Sequence, residues 1–324
     1  MSTAPRPDDM EALLERGDSY ARGGDPRAAM SFYQAALQIA RSGRAVDPRR
    51  VPDLQRAQAY IRDQAQRLHD ALDHTLETIR ADDPIERLRL THALEMLKGT
   101  RTIYPQQPNV FYYPYLAQRQ FFEREEFAWT SELEAATPAI REELLALVQS
   151  DADFRPYVED DPDRPARDFH GLNNDPSWSA LYLWKDGRLV EENARRCPKT
   201  IAALEKVPLS RIGSRTPAAL FSRLEPGAHI PPHSGMLNSR LICHLPLIVP
   251  EGCWLRVGNE TREVEQGRML IFDDSIEHEA RNRSGETRII LLFDIWRPEL
   301  GDAERQGISA IFDAIDRFQT LPEA

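Results

Sequence analysis

FSRLEPGAHIPPHSG (residues 221–235) and LIFDDSIEHEARNRSGETRIILLFDIW (residues 270–296) place two histidines 45 positions apart in one β-rich block, with an arginine ten positions after the second. Around them, from 217 to 296, short apolar and β-branched runs alternate with turn signals at GNE (258–260) and QGR (266–268), and the first such run is SALYLW (179–184). Many short strands in one continuous block predict a β-sandwich or barrel. His233 and His278 within that block fit a non-haem iron centre. Imidazole nitrogens suit Fe(II), and an oxygenase needs open coordination positions for a keto acid and then dioxygen.

The common form of such a centre adds a carboxylate, as His-x-Asp followed later by His. Here the residue two after His233 is Gly235, which offers no ligand. With that departure, the stretches FSRLEPGAHIPPHSG, RLICHLPL (240–247), VPEGCWLRVGNETREVEQG (249–267) and LIFDDSIEHEARNRSGETRIILLFDIWRPEL (270–300) resemble the aspartyl/asparaginyl β-hydroxylase family of 2-oxoglutarate-dependent oxygenases. The likeness covers 219–300 and, more loosely, the run from about 104. It implies a double-stranded β-helix, the jelly-roll core also seen in cupins, and an iron held by His233 and His278 with no protein carboxylate. It further implies 2-oxoglutarate as cosubstrate, with Arg288 anchoring its distal carboxylate, Ser222 and His244 as further contacts, and Trp184 in LYLWKDG near the mouth.

Elementary chemistry supports parts of this assignment. A guanidinium fork binds a carboxylate through two parallel hydrogen bonds. Arg288 shares a strand face with Ile290 and Leu292, and an arginine pointing into an apolar interior needs an anionic partner. Pro231 and Pro232 stiffen the approach to His233. Asp274 is the carboxylate expected to support the metal from behind its ligands, or else an ordinary turn residue at a strand end. Ser222 and Trp184 also have packing or turn roles open to them. A carboxylate introduced at 235 is expected to reach the metal. Where peptide-acting members of the family carry an arginine two residues before the position of His244, this chain has Ile242, and Arg240 keeps the neighbouring basic position. That weakens an aspartate or asparagine of a folded extracellular module as the substrate and leaves a short peptide, a free or carrier-bound amino acid, or an acyl chain. The activity so implied is hydroxylation of an unactivated C–H bond, at the β-carbon of an Asp/Asn-type residue or in a related amino-acid or peptide substrate. The competing readings are a halogenase, since a missing carboxylate leaves room for halide, and an interaction protein with a non-catalytic cupin-like domain.

The chain has 324 residues and a net charge of −11, which argues against nucleic acid as a partner. No apolar run approaches the roughly 18 residues of a membrane span, and the N-terminus lacks a signal-peptide segment, so a cytoplasmic protein is expected. Cys197, Cys243 and Cys253 form no CxxC pair and read as free thiols. The class is α+β, with a helical region over 1–100 and an oxygenase domain over 101–324.

Residues 10–40 set Leu13, Leu14, Gly17, Tyr20, Ala21, Gly24, Ala29, Tyr33 and Ala36 at helical offsets around a GGDP turn. This resembles one tetratricopeptide repeat, whose face needs further helices, predicted over 53–80 and 85–97. Such a module docks a protein partner or carrier, or simply extends the packing of the enzyme. A proline- and aromatic-rich linker (104–122) leads to a helix, SELEAATPAIREELLALVQ (131–149), expected to start near Thr137–Pro138 and to bury Leu144, Leu145 and Val148. Residues 150–175 read as a polar loop of the kind that often forms lids. A last helix in 307–321 carries Ile308, Ile311, Phe312 and Ile315 as one stripe for the sheet or a dimer partner.

Overall fold

The computed structural model describes residues 9–43, 46–150, 154–160, 165 and 168–320, and the chain divides after Arg101 into two compact units. The first consists of α1 (Met10–Arg22), α2 (Pro26–Arg41), α3 (Val51–Thr78) and α4 (Pro84–Leu97). Asp9 caps α1 and Asp25 caps α2, each accepting from the backbone N–H three residues on, and Pro26 opens α2 at a position where no amide is needed. The two helices approach closely because a Cβ at Gly17 would stand 2.5 Å from ring carbons of Tyr33. Ala29 and Ala36 complete this seam, Tyr33 donates to Asp18 at 2.7 Å, and Ala57 of α3 closes the cluster with Leu54, Tyr60 and Ile61. Beyond that first half of α3 the apolar side chains Leu68, Ile85, Leu88 and Leu97 are exposed.

The second unit is built on two antiparallel sheets. The larger follows the order β1-β10-β7-β12-β5-β3-β2, with β4 beside β3. Its strands are β1 (Phe121–Phe122), β2 (Arg155–Pro156), β3 (Trp178–Lys185), β4 (Arg188–Leu189), β5 (Ala219–Leu224), β7 (Arg240–Ile248), β10 (Leu270–Phe272) and β12 (Arg288–Trp296). The smaller has the order β6-β11-β8-β9, from β6 (His229–His233), β8 (Cys253–Val257), β9 (Glu260–Glu263) and β11 (His278–Asn282). Period-two alternation sorts the central strand β12: Ile289, Leu291, Phe293 and Ile295 join the main core cluster, while Arg288, Ile290 and Leu292 face the other way. The main cluster is covered by α5 (Thr130–Ala135), α6 (Thr137–Gln149), α7 (Glu191–Arg196) and α8 (Pro198–Leu204), through residues such as Leu133, Ile140, Leu144 and Leu204. Between the sheets lies a second cluster that includes Leu224, Ile230, Leu255 and Phe272.

Three local expectations need correction. On α6 the buried stripe is Ile140, Leu144 and Leu147, with Val148 exposed, because the helix turns Glu143 inward to accept from the backbone N–H groups of Lys199 and Thr200. On α9 (Asp302–Thr320) Ile308 and Phe312 are buried against Ile212, Leu237 and Trp296, whereas Ile311 and Ile315 are exposed, so the apolar face is wider than the surface it covers. The 150–175 interval contains β2, which pairs with β3, while residues 151–153, 161–164 and 166–167 of it lie outside the described residues. The N-terminal residues 1–8, where a signal segment was sought, also lie outside them. No described helix is long and apolar enough to cross a membrane.

The linker after residue 104 is tied down by a buried network. Arg297, fully buried, pairs with Asp273 at 2.7 Å and donates to the carbonyl of Ala117, and Asp273 also accepts from Gln106 at 2.7 Å. Farther along, the N–H groups of Val110 and Phe111 donate to Met236 and Asn109 donates to Gly235, so this strap fixes the segment that follows His233.

Candidate active site

Between the sheets is a cavity of about 270 Å³, at the small end of ligand pockets. His233 ends β6 and His278 begins β11, and the two are direct partners in that strand pairing, with ring centroids 4.1 Å apart. Each ring is held by its own backbone: Nδ1 lies 2.8 Å from the Pro231 carbonyl in His233 and 3.1 Å from the Ile276 carbonyl in His278. A carbonyl only accepts, so both Nδ1 atoms carry the proton and both Nε2 lone pairs are free. Phe169 stands edge-on to His233 at 5.2 Å and Phe272 lies 5.4 Å from His278. Burial lowers the pKa of both rings, that of His278 to about 3, with the charge of His233 the next cause there. The pair is therefore neutral at pH 7, the state in which imidazole binds a metal. Among the described residues no group of three or more His, Cys, Asp or Glu is placed to hold a metal, and the two imidazoles stand as a pair.

Arg288 opens β12 with 1 % of its surface exposed, and its Nε and Nη1 have no hydrogen-bond partner. Burial depresses its pKa to about 10. A buried cation with unmet donors calls for an anion, and a dicarboxylate end fits the fork. Ser222 on β5 and His244 on β7 line the same cavity. His244 is neutral, its pKa pushed well down by burial and then by the charge of Arg288, and its Nδ1 is likewise without a partner. The residues present thus fit an iron ion bound at one point and a keto acid spread across several.

Trp184 does not reach this cavity. A bulge between Tyr182 and Trp184 sets two residues of β3 against one step of β5, which turns Trp184 onto the face of Leu181 and Leu183, inside the main core. The tryptophan that lines the cavity is Trp178, whose Nε1 donates to the Ser222 Oγ at 3.3 Å and whose ring stacks on Tyr157 at 4.0 Å. With a keto acid as the cavity's ligand, Trp178→Phe, which removes that donor, should raise the concentration required about tenfold. Trp184→Phe should lower thermal stability alone. Steady-state titration and a melting curve on each variant check the pair, and equal kinetic effects would reverse the assignment.

Asp274 follows β10 and is 5 % exposed. Burial lifts its pKa to about 6 against the pull of Arg240, which donates to its Oδ2 at 3.1 Å and to the Asp294 Oδ2 at 2.6 Å. The same carboxylate explains Gly235: a Cβ there would stand 2.0 Å from the Asp274 Oδ2, and the Gly235 N–H donates to the Asp274 carbonyl at 2.6 Å. A carboxylate added at 235 would meet this one before any metal, which corrects the expectation from sequence. Gly235→Ala should cost roughly 1–3 kcal/mol of stability as Asp274 is driven off Arg240. An unchanged melting temperature would show that the contact yields freely.

Several cavity residues carry no sequence signal of their role. Tyr157, Val158 and Phe169 come from the irregular interval before β3, where no periodicity assigns a facing, and Asn109 and Met236 come from the strap and the segment it holds.

A sequence profile of the aspartyl/asparaginyl beta-hydroxylase family matches residues 134–298. The human aspartyl/asparaginyl beta-hydroxylase is 42% identical over 43% of this chain and 18% of its own length. The ornithine lipid ester-linked acyl 2-hydroxylase of Rhizobium tropici is 36% identical over 57% of this chain and 63% of its own. The chain thus spans less than two thirds of either relative. Among solved structures, a Schizosaccharomyces pombe Cnp3 cupin domain overlaps 45% of this chain and 77% of its own at 12% identity, with a TM-score of 0.27.

Proposed function

The chain belongs to the aspartyl/asparaginyl β-hydroxylase family, and from that premise we propose that it is an Fe(II)- and 2-oxoglutarate-dependent dioxygenase that hydroxylates an unactivated C–H bond. The observation that carries this reading is a pair of neutral imidazoles sharing one small cavity with a buried arginine whose donors are unmet. His233 and His278 hold the iron through their Nε2 atoms. Arg288 takes the distal carboxylate of the keto acid, while Ser222, oriented by Trp178, and His244 fix its flank. With iron and 2-oxoglutarate bound there, dioxygen would be the oxidant, one of its atoms going into succinate as the keto acid loses carbon dioxide and the other into the hydroxylated C–H bond.

The protein's own contribution is positioning and exclusion of water. The Pro231 and Ile276 carbonyls hold the two imidazoles in the metal-binding tautomer, and Asp274, itself held by Arg240, fixes the backbone of the turn after His233. Phe169, Phe272 and Trp178 keep the cavity dry. The fold is read as a double-stranded β-helix from the two facing sheets and the family, and the substrate as an Asp/Asn-type residue or a related amino-acid, peptide or acyl compound. The helical unit is read as a tetratricopeptide-like module for a partner or carrier, on the close Gly17–Tyr33 seam and the buried Ala29 and Ala36.

Anaerobic addition of Fe(II) and 2-oxoglutarate should produce the weak visible absorption of an iron-chelated keto acid, and oxygen should then release succinate. Absence of both would end this reading. The small relative named an acyl 2-hydroxylase and the larger ones named β-hydroxylases leave the carbon attacked to be decided by the site itself.

A further inference from the structure

Building on the oxygenase reading, we propose that the substrate offers the histidine pair an uncharged aliphatic group, and that Ile242 is the residue that selects it. β7 sends Arg240, Ile242 and His244 to one face, all three lining the cavity. Ile242 pairs in register with Phe272 on one side and Asp294 on the other, and His244 pairs with Leu292. On β12 the inward series runs Arg288, Ile290, Leu292, Asp294. Arg288 and Ile242 therefore belong to opposite ends of the inner face, with the His244 position between them.

At the Ile242 end, among the described residues, no cation stands free of carboxylate partners to take a substrate carboxylate. Arg240 stands there, but its Nη1 already donates to Asp294 and its Nη2 to Asp274, which leaves only Nε without a partner. One guanidinium faces two buried carboxylates. A third, brought in by an acidic substrate, would add like charge in a desolvated setting, where an unpaired anion costs most. The remaining wall is mostly apolar, from Tyr157, Val158, Phe169 and Met236, the last 42 % exposed on the rim, and its polar members Asn109 and Ser234 are uncharged and bonded to each other. An alkyl group passing from this rim toward the histidines would cover these surfaces and ask nothing of Arg240. The required chemistry is a neutral hydrocarbon segment, from either an acyl chain or an aliphatic amino-acid side chain.

Three probes separate the possibilities on the full-length protein: decanamide, N-acetyl-leucine amide and N-acetyl-aspartate amide, each titrated calorimetrically with and without Fe(II) and 2-oxoglutarate under nitrogen. The better aliphatic probe should bind at least about tenfold more tightly than the aspartate probe. Tighter binding of decanamide assigns an acyl chain, and tighter binding of the leucine amide assigns a peptide. Ile242→Arg should invert the preference by a similar factor. Ile242→Thr, which adds no charge, should weaken the aliphatic probes without helping the aspartate one, and it keeps the test open if the arginine variant does not fold. The inference is overturned if neither aliphatic probe binds, if the aspartate probe binds the native protein as well as they do, or if Ile242→Thr leaves all three affinities unchanged. Failure of the oxygenase reading looks different: the visible band is absent, while the metal-free titration still reports which probe the cavity prefers.

Discussion

Alanine at His233 or at His278 should abolish turnover of 2-oxoglutarate. The protein offers two imidazoles and, among the described residues, no third side chain close enough to form a metal-holding group with them. Loss of a partner behind a metal ligand already costs roughly 10- to 100-fold in affinity. Loss of a ligand from a set of two should therefore cost more than about 100-fold, and turnover with it. Neither substitution removes an ion pair, because both rings are neutral and each is tied only to a backbone carbonyl, so the variants should still fold. Fe(II) binding, the visible band and succinate release are the measurements, with a melting curve as the control. A folded variant that retained both band and turnover would place the metal elsewhere.

The legible part of this site follows strand periodicity, and the illegible part follows contacts that no period records. Ser222, His244 and Arg288 lie on strands whose alternation runs unbroken to the residue concerned and His278 opens its strand, whereas His233 lies past a register shift in the β6–β11 pairing and is marked by its motif rather than by period; all five face the cavity. Trp184 lies beyond a bulge, and one extra residue on β3 sends every later side chain to the other face. Sequence alone shows two tryptophans on that strand and cannot count the bulge between them. Gly235 has a reason that exists only in space, because the volume its Cβ would fill belongs to Asp274, 39 positions away. The sharing of Arg240 between Asp274 and Asp294 is equally invisible, since the two carboxylates sit on different segments, 20 positions apart. The first helical pair is readable from Gly17, Ala29, Tyr33 and Ala36 because small and aromatic residues at helical spacing leave few ways to pack. α4 buries none of its residues, and its sequence correspondingly shows little preference for one face.

Arg288→Met should weaken 2-oxoglutarate binding while making the ligand-free protein more stable. Methionine has similar length and no charge, so it fills the space without leaving a void. In the folded chain burial holds the Arg288 pKa at about 10, below its ordinary value. The sign follows directly: the folded state binds this proton less tightly than the unfolded one, so the cation destabilises the fold throughout the neutral range, and the penalty lifts only as pH rises through about 10. By order of magnitude that penalty is a few kcal/mol, and methionine removes it. Binding moves the other way. A desolvated, charge-assisted fork to a carboxylate is worth about 3 kcal/mol, or roughly 10²-fold in affinity. The keto acid should therefore raise the melting temperature of the native protein far more than that of the variant, since a ligand stabilises only in proportion to its affinity for the folded state. Fe(II) binding should change little, because the histidines keep their own backbone partners. Thermal melts with and without 2-oxoglutarate, joined to an Fe(II) titration, read all three effects. If the variant binds the keto acid as the native protein does, Arg288 is not its anchor; if the ligand-free variant is less stable, the guanidinium has a partner inside the fold, and its unmet donors are not a binding site in waiting.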